Sequence, residues 1–183
     1  MVMKQRPIPW LCLILLAVGC TAGAQASATL GITAAPVKVD GVFGDKEYGL
    51  VTVAAGMKLG LTRTADTLYV ALSAPTAGWV AVGIGSARMD GAVMYIGYVT
   101  GDATELKVQK GAGDRHADTD ADSPREYAMK ETAGQTVLEF AVKSSAVIAK
   151  GQKTLDLLVA MGATTTFVSM HKARASVTVG LAE

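Results

Sequence analysis

Cysteine is nearly absent from this chain of 183 residues: Cys12 and Cys20 are its two cysteines, and none follows residue 20. The region beyond residue 20 therefore has no disulfide, no zinc–thiolate centre and no catalytic thiol. Histidine is equally scarce. His116 and His171 are the two side chains that could act as bases at neutral pH without a shifted pKa. No serine sits in a Gly-x-Ser-x-Gly elbow, and no glycine-rich phosphate loop carries a lysine. The sequence offers no positive reason to expect a hydrolase. Charge of one sign is missing too, with 17 basic residues against 16 acidic ones. Nucleic-acid binding needs clustered lysine and arginine to displace counterions, so it is excluded as an expectation. Long segments of helical periodicity are lacking as well.

What is present begins with a targeting segment. Lys4 and Arg6 give a positive start, and residues 10–19 (WLCLILLAVG) form an apolar run. That run is too short for a bilayer, which takes about 20 residues, but it suits a signal-peptide core. Two exits stand open. Ala22/Ala24 and Ala24/Ala26 make small-x-small cleavage sites, while residues 17–20 (AVGC) resemble a bacterial lipobox that would leave Cys20 lipidated. We expect a signal over residues 1–28 and one folded domain over residues 29–183. The expected location is periplasmic or extracellular, either free or as an outer-membrane lipoprotein. A lipid on Cys20 is the one membrane contact expected. Without Lys4 and Arg6 the remaining chain carries 15 basic and 16 acidic residues, a net charge of −1.

Short apolar runs then recur at regular spacing, separated by turn residues. Residues 37–43, 67–72, 78–84, 92–99, 105–109, 126–130, 136–142, 155–161 and 175–181 read as strands. Residues 45–48 read as a polar turn, 144–150 as a short helix or turn, and the Gly- and Asp-rich 111–125 as a surface loop. Eight or nine short strands with turn signals between them predict an all-β fold, an immunoglobulin-like antiparallel β-sandwich.

One pattern stands out. Residues 78–97 (GWVAVGIGSARMDGAVMYIG) read as a strand, a loop carrying Met89, and a second strand, and residues 169–179 (SMHKARASVTV) place His171 before the final strand. Together with the opening residues 39–48 (VDGVFGDKEY), this resembles the DOMON family, whose haem-binding members include the cytochrome domain of cellobiose dehydrogenase. The resemblance covers most of residues 37–181, and its opening motif is shared with sugar-binding relatives. Ala175 departs from it, since a glycine often follows the basic residue there.

The resemblance implies a non-covalent haem b with Met89 and His171 as axial ligands; covalent attachment is excluded because no CxxCH occurs. A thioether is a soft ligand that favours ferrous iron, and an imidazole binds either oxidation state. With both axial positions filled, the implied role is electron transfer with a redox partner protein rather than catalysis. Trp79 is a core aromatic or a haem-edge contact. Arg88, Lys172 and Arg174 flank the candidate ligands and are either propionate partners or solvated charges. Met94 is a strand core residue and the fallback ligand.

The blander readings are that Met89 fills space, as methionines usually do, and that His171 is a surface side chain. Two other functions stand beside electron transfer: a haem-free module for a carbohydrate or similar small ligand, and a redox subunit of a larger oxidoreductase. Aromatics at 5% of the chain argue against the sugar module, which needs stacking platforms. Asp118, Asp120 and Asp122 share the first spacings of a calcium loop, but Ser123 replaces its glycine, so the run is expected to be a solvated acidic loop.

Overall fold

The computed structural model describes residues 28–44, 46–120 and 123–182. The expected signal segment with Cys20, and Asp45 and Asp122, lie outside the described residues. Twelve strands are described: β1 (Thr29–Leu30), β2 (Leu50–Ala54), β3 (Met57–Arg63), β4 (Thr67–Ala74), β5 (Val80–Ile84), β6 (Val93–Thr100), β7 (Ala103–Ala112), β8 (Arg115–Asp118), β9 (Glu126–Thr132), β10 (Gln135–Lys143), β11 (Thr154–Gly162) and β12 (His171–Leu181). One helical turn, α1 (Ser144–Val147), follows β10.

The strands form two sheets packed as a sandwich, as expected from their spacing. The larger sheet has the order β1-β12-β11-β5-β6-β7-β8, and the smaller has β2-β3-β4-β10-β9. All pairings are antiparallel except β1 with β12. Alternation along each strand sends one set of side chains between the sheets. Leu59, Leu61, Val70, Leu72, Leu138 and Phe140 come from the smaller sheet, and Val80, Val82, Tyr95, Leu157 and Val159 from the larger. Tyr95 and Phe140 stack across the gap with ring centroids 4.3 Å apart. No helix among the described residues is long and apolar enough to cross a membrane.

Four details differ from the sequence expectation. Residues 37–43 are not a strand; they lie over the outside of the smaller sheet. Residues 50–63 form a hairpin that the reading left out. Its turn is Ala55-Gly56, both with positive φ (49° and 77°), as a two-residue hairpin requires. The stretch 111–125 is partly ordered as the hairpin β7–β8. The last strand begins at His171 rather than Ala175.

Candidate functional site

The outer face of the larger sheet is apolar where water would normally favour polar side chains. On β5, Val80, Val82 and Ile84 point into the core, so Ala81 and Gly83 point outward, in line with Trp79. On β6 the outward residues are Met94, Ile96 and Tyr98, and on β11 they are Leu158 and Ala160. Trp79, Ala81, Ala92, Met94 and Ile96 form a buried cluster separate from the main core. The middle of this bed is filled: a β-carbon at Gly83 would stand 3.2 Å from Leu158 and 3.3 Å from Met94. Met89 and Phe167, from two different loops, pack onto it.

Met89 lies on the loop from β5 to β6. The loop turns through Gly85 (φ 95°) and Gly91 (φ 82°). Ala92 N–H donates to the Met89 carbonyl at 3.1 Å, and Gly91 N–H donates to Gly111 of β7 at 3.1 Å. The loop can rest on β7 because Gly111 has no side chain; a β-carbon there would strike the Met89 carbonyl. Asp90 pins the loop further by accepting the Gly113 N–H at 2.9 Å. Met89 is half-buried, whereas Arg88 beside it is exposed.

His171 opens β12 and is exposed. It pairs with Gly162, and a bulge at Lys172 restores the register so that Ala173 pairs with Met161. Such bulges re-aim side chains near strand ends. Met161 faces the core, so Gly162 and His171 share the outer face. Trp79 sits at the same level: Gly162 N–H donates to its carbonyl at 2.8 Å, and its indole covers Gly162 where a β-carbon would collide. Trp79 is buried, and its Nε1–H donates to Ser169 Oγ at 2.8 Å. Arg174, two strand positions further on the same face, is opposite Ala160 and exposed. Lys172 is exposed in the bulge, and Met94 is buried in the bed.

The two candidate ligands therefore stand at opposite ends of one bed and are not in contact. His171 is level with Trp79 at the start of β5, and Met89 rests near Ala92, level with Gly85 past its end. Six residues of strand separate these levels, about 20 Å.

The outer face of the smaller sheet holds a side chain that sequence reading missed. Glu139 on β10 is fully buried. Its Oε2 accepts the backbone N–H groups of Asp40 and Gly41 at 2.9 and 2.8 Å, and its Oε1 accepts the Tyr48 hydroxyl at 2.7 Å. Burial pushes the Glu139 carboxyl above the usual glutamate value although these bonds pull the other way. Burial first, and then the bond to Glu139, push the Tyr48 hydroxyl far up. A lone glutamate inside the apolar run 137–142 was the available signal. The opening motif 39–48 is thus a clasp that covers this face.

No family model matches the chain, and no curated protein matches it. Solved structures do resemble it. The cytochrome b domain of pyranose dehydrogenase from Coprinopsis cinerea superposes with a TM-score of 0.56 at 12% identity, over 69% of this chain and 77% of that one. The cytochrome domain of Myriococcum thermophilum cellobiose dehydrogenase gives 0.54 at 12% identity, over 75% and 80%. A family 9 carbohydrate-binding module from Caldicellulosiruptor kristjanssonii, in complex with glucose, gives 0.50 at 10% identity, over 84% and 95%. The chain shares the β-sandwich fold of these domains.

Met89 and His171 are each a donor that haem iron takes, but they stand at opposite ends and opposite margins of one face, too far apart as placed to hold one iron between them. Cations stand on both margins: Arg174 on β12 and Lys107 on β7, the latter opposite Ile96. Among the described residues no group of three or more His, Cys, Asp or Glu side chains could hold a metal ion. Asp118 is instead bonded to Gln109 at 2.7 Å and Lys107 at 3.3 Å, which hold its carboxyl below the usual value.

Proposed function

We propose that this chain is an exported haem b domain that passes single electrons to and from a redox partner protein, either as a free carrier or as a subunit of a larger oxidoreductase. The observation that carries the reading is the apolar outer face of the larger sheet, with a thioether at one end and an imidazole at the other. Haem b, where bound, would supply a one-electron couple, with Met89 and His171 the residues that would hold its iron. Met89 would favour the reduced iron, and His171 would bind both states. Met94, Ile96 and Leu158 would keep water from the ring, though its edge would have to part Leu158 and Met94 over Gly83. Arg174, and Lys107 if it leaves Asp118, would be the candidates to pair with propionates. Exposed Arg88 is the outlying candidate for that role. Holding one iron from both ends requires the loop around Met89 and the segment before His171 to draw inward. A signal over residues 1–28, with either cleavage or lipidation at Cys20, would deliver the domain outside the cytoplasm.

The test is a haemin titration of the purified mature protein. We expect a low-spin spectrum that sharpens on reduction. Met89→Ala and His171→Ala should each convert it to a five-coordinate or water-bound form. A wild-type protein with no such spectrum sinks the proposal. If haem binds but neither substitution changes the spectrum, the ligand assignment falls alone.

The likeness to the glucose-binding module, which extends over 84% of this chain, keeps sugar binding as a second reading. Sugar rings stack on exposed aromatics, and among the described residues Tyr127 is the one exposed aromatic side chain. Calorimetric sugar binding by a colourless protein would favour this reading over the first.

A further inference from the structure

The chain has two histidines, His116 and His171, and the fold sets the first of them beside Met89. Met89 rests on Gly111 of β7, where a β-carbon would strike its carbonyl and stand 3.3 Å from its Cγ. Gly111 spends its N–H and C=O on Ala92 and Gly91, on the β6 side. It therefore meets His116 of β8 as a non-hydrogen-bonded pair. Such pairs bring Cα atoms to about 4.5 Å and crowd their side chains together. Leu106 and Val108 of β7 pack against the core, so Gln109 and Gly111 belong to the outer face, and their partners Asp118 and His116 share it. The thioether and the imidazole thus come from adjoining positions on one face. A second thioether belongs to the same patch. Met94 of β6 is opposite Gln109, one same-face step along from Gly111, and Met89 packs against the buried cluster that contains it. Gln109, 7% exposed, lies between Met94 and Asp118. Its Nε2–H donates to Asp118 at 2.7 Å, while its Oε1 is buried without a hydrogen-bond partner among the described residues. A buried carbonyl oxygen left in that state is costly unless something positive meets it.

We propose that this patch is a copper(I) site, with Met89, Met94 and His116 as its ligands and the Gln109 amide oxygen as a weaker fourth contact. Thioethers are soft donors that select copper(I) over harder cations, and imidazole takes copper readily. Ligands from neighbouring positions approach an ion from one side. That suits a small ion with two or three neighbours, and not the two opposite axial positions of a macrocycle. The site needs no movement of the backbone, since Asp90 already pins the Met89 loop to Gly113. Met89 is half-buried and His116 exposed, so an ion from solvent reaches the pair directly. This binding role goes beyond the haem reading and shares one residue with it, Met89.

The test is a titration of the mature protein with copper(I), kept reduced by ascorbate, in competition with the chromophoric chelator bicinchoninate. No thiol follows residue 20 to compete for the ion. Wild type should take up a single equivalent, and X-ray absorption at the copper edge should show both sulfur and nitrogen neighbours. His116→Ala, Met89→Leu and Met94→Leu should each weaken binding by about 10-fold or more, at least the loss that a supporting residue around a metal causes. His171→Ala should leave the affinity unchanged. Absence of binding in wild type, a copper spectrum without sulfur, or an affinity that survives His116→Ala and Met89→Leu overturns the site. So does an affinity lost in His171→Ala and kept in His116→Ala. Should Met94→Leu, at a buried position, fail to fold, the other two variants decide the matter. The haem reading stands or falls separately: His171→Ala alters a haemin spectrum and leaves copper affinity alone, whereas His116→Ala does the reverse.

Discussion

The two outer faces of the sandwich are both apolar, and the chain treats them differently. On the smaller sheet, residues 37–44 and 46–49 lie across the strands, with Phe43 and Tyr48 against Gly60, and Val37, Tyr48, Tyr69, Ala71 and Ala141 form a closed cluster. The cover is locked by a buried carboxylate with three donors. On the larger sheet the cover is two loop tips, Met89 and Phe167, held by exposed or half-buried bonds at the margins. The clasp seals the middle of the smaller sheet's outer face with a buried polar group. A face closed by loops over small residues can be opened at little cost, since few buried contacts are lost.

Breaking the clasp should have the largest effect. Glu139→Ala leaves the Asp40 and Gly41 N–H groups and the Tyr48 hydroxyl without their acceptor, and should cost about 3 kcal/mol of stability. Urea denaturation measures it, and a loss under 1 kcal/mol would mean that the clasp is not what holds the opening segment. Next comes Gly162→Ala on the opposite face. The new methyl group must displace the Trp79 indole, so we expect a loss of about 1–2 kcal/mol with a shift in Trp79 fluorescence. An unchanged emission maximum would show that the indole does not rest on Gly162.

The smallest effect concerns pH. Glu139 has a raised carboxyl in the folded state, so the fold binds its proton more tightly than the unfolded chain does. Its contribution is complete below the ordinary glutamate range and is lost as pH rises through the raised value. The exposed carboxyls of Asp66 and Asp118, lowered by their bonds to Arg125 and Gln109, act in the reverse sense. Glu139→Gln removes only the first contribution. The gap in urea midpoint between the variant and wild type should therefore change between about pH 4 and about pH 7, with wild type losing ground as pH rises. A constant gap would show that Glu139 titrates as an ordinary glutamate.

The sandwich was legible in the sequence because most strands keep clean alternation between turn residues. The same Ala-Gly dipeptide shows where legibility ended. Ala133-Gly134 stood between two obvious apolar runs and read as a turn. Ala55-Gly56 makes the same kind of turn, but glycine and lysine in residues 57–63 blurred the second strand, and the hairpin was missed. Residues 37–43 look like a strand but form none: the Asp40 and Gly41 donors go to a side chain 99 and 98 residues away, a partner that local pattern cannot reveal. At the bed, the family resemblance singled out Met89 and His171, but not that they would stand at opposite ends. That follows from β5 and β11 running antiparallel, which sends the loop after each to a different end of the sheet. Phe167 carried no signal at all, since an aromatic in a threonine-rich loop has no periodicity to read.

The short parallel pairing of β1 with β12 sets Thr29 beside Gly180 and Leu30 beside Leu181. Both described ends of the polypeptide thus leave from one corner, at the far end of β12 from His171. A lipid tether, purification tag or fused redox module attached at either end would enter there, and the end that carries His171 would remain free to meet solvent or a docking protein.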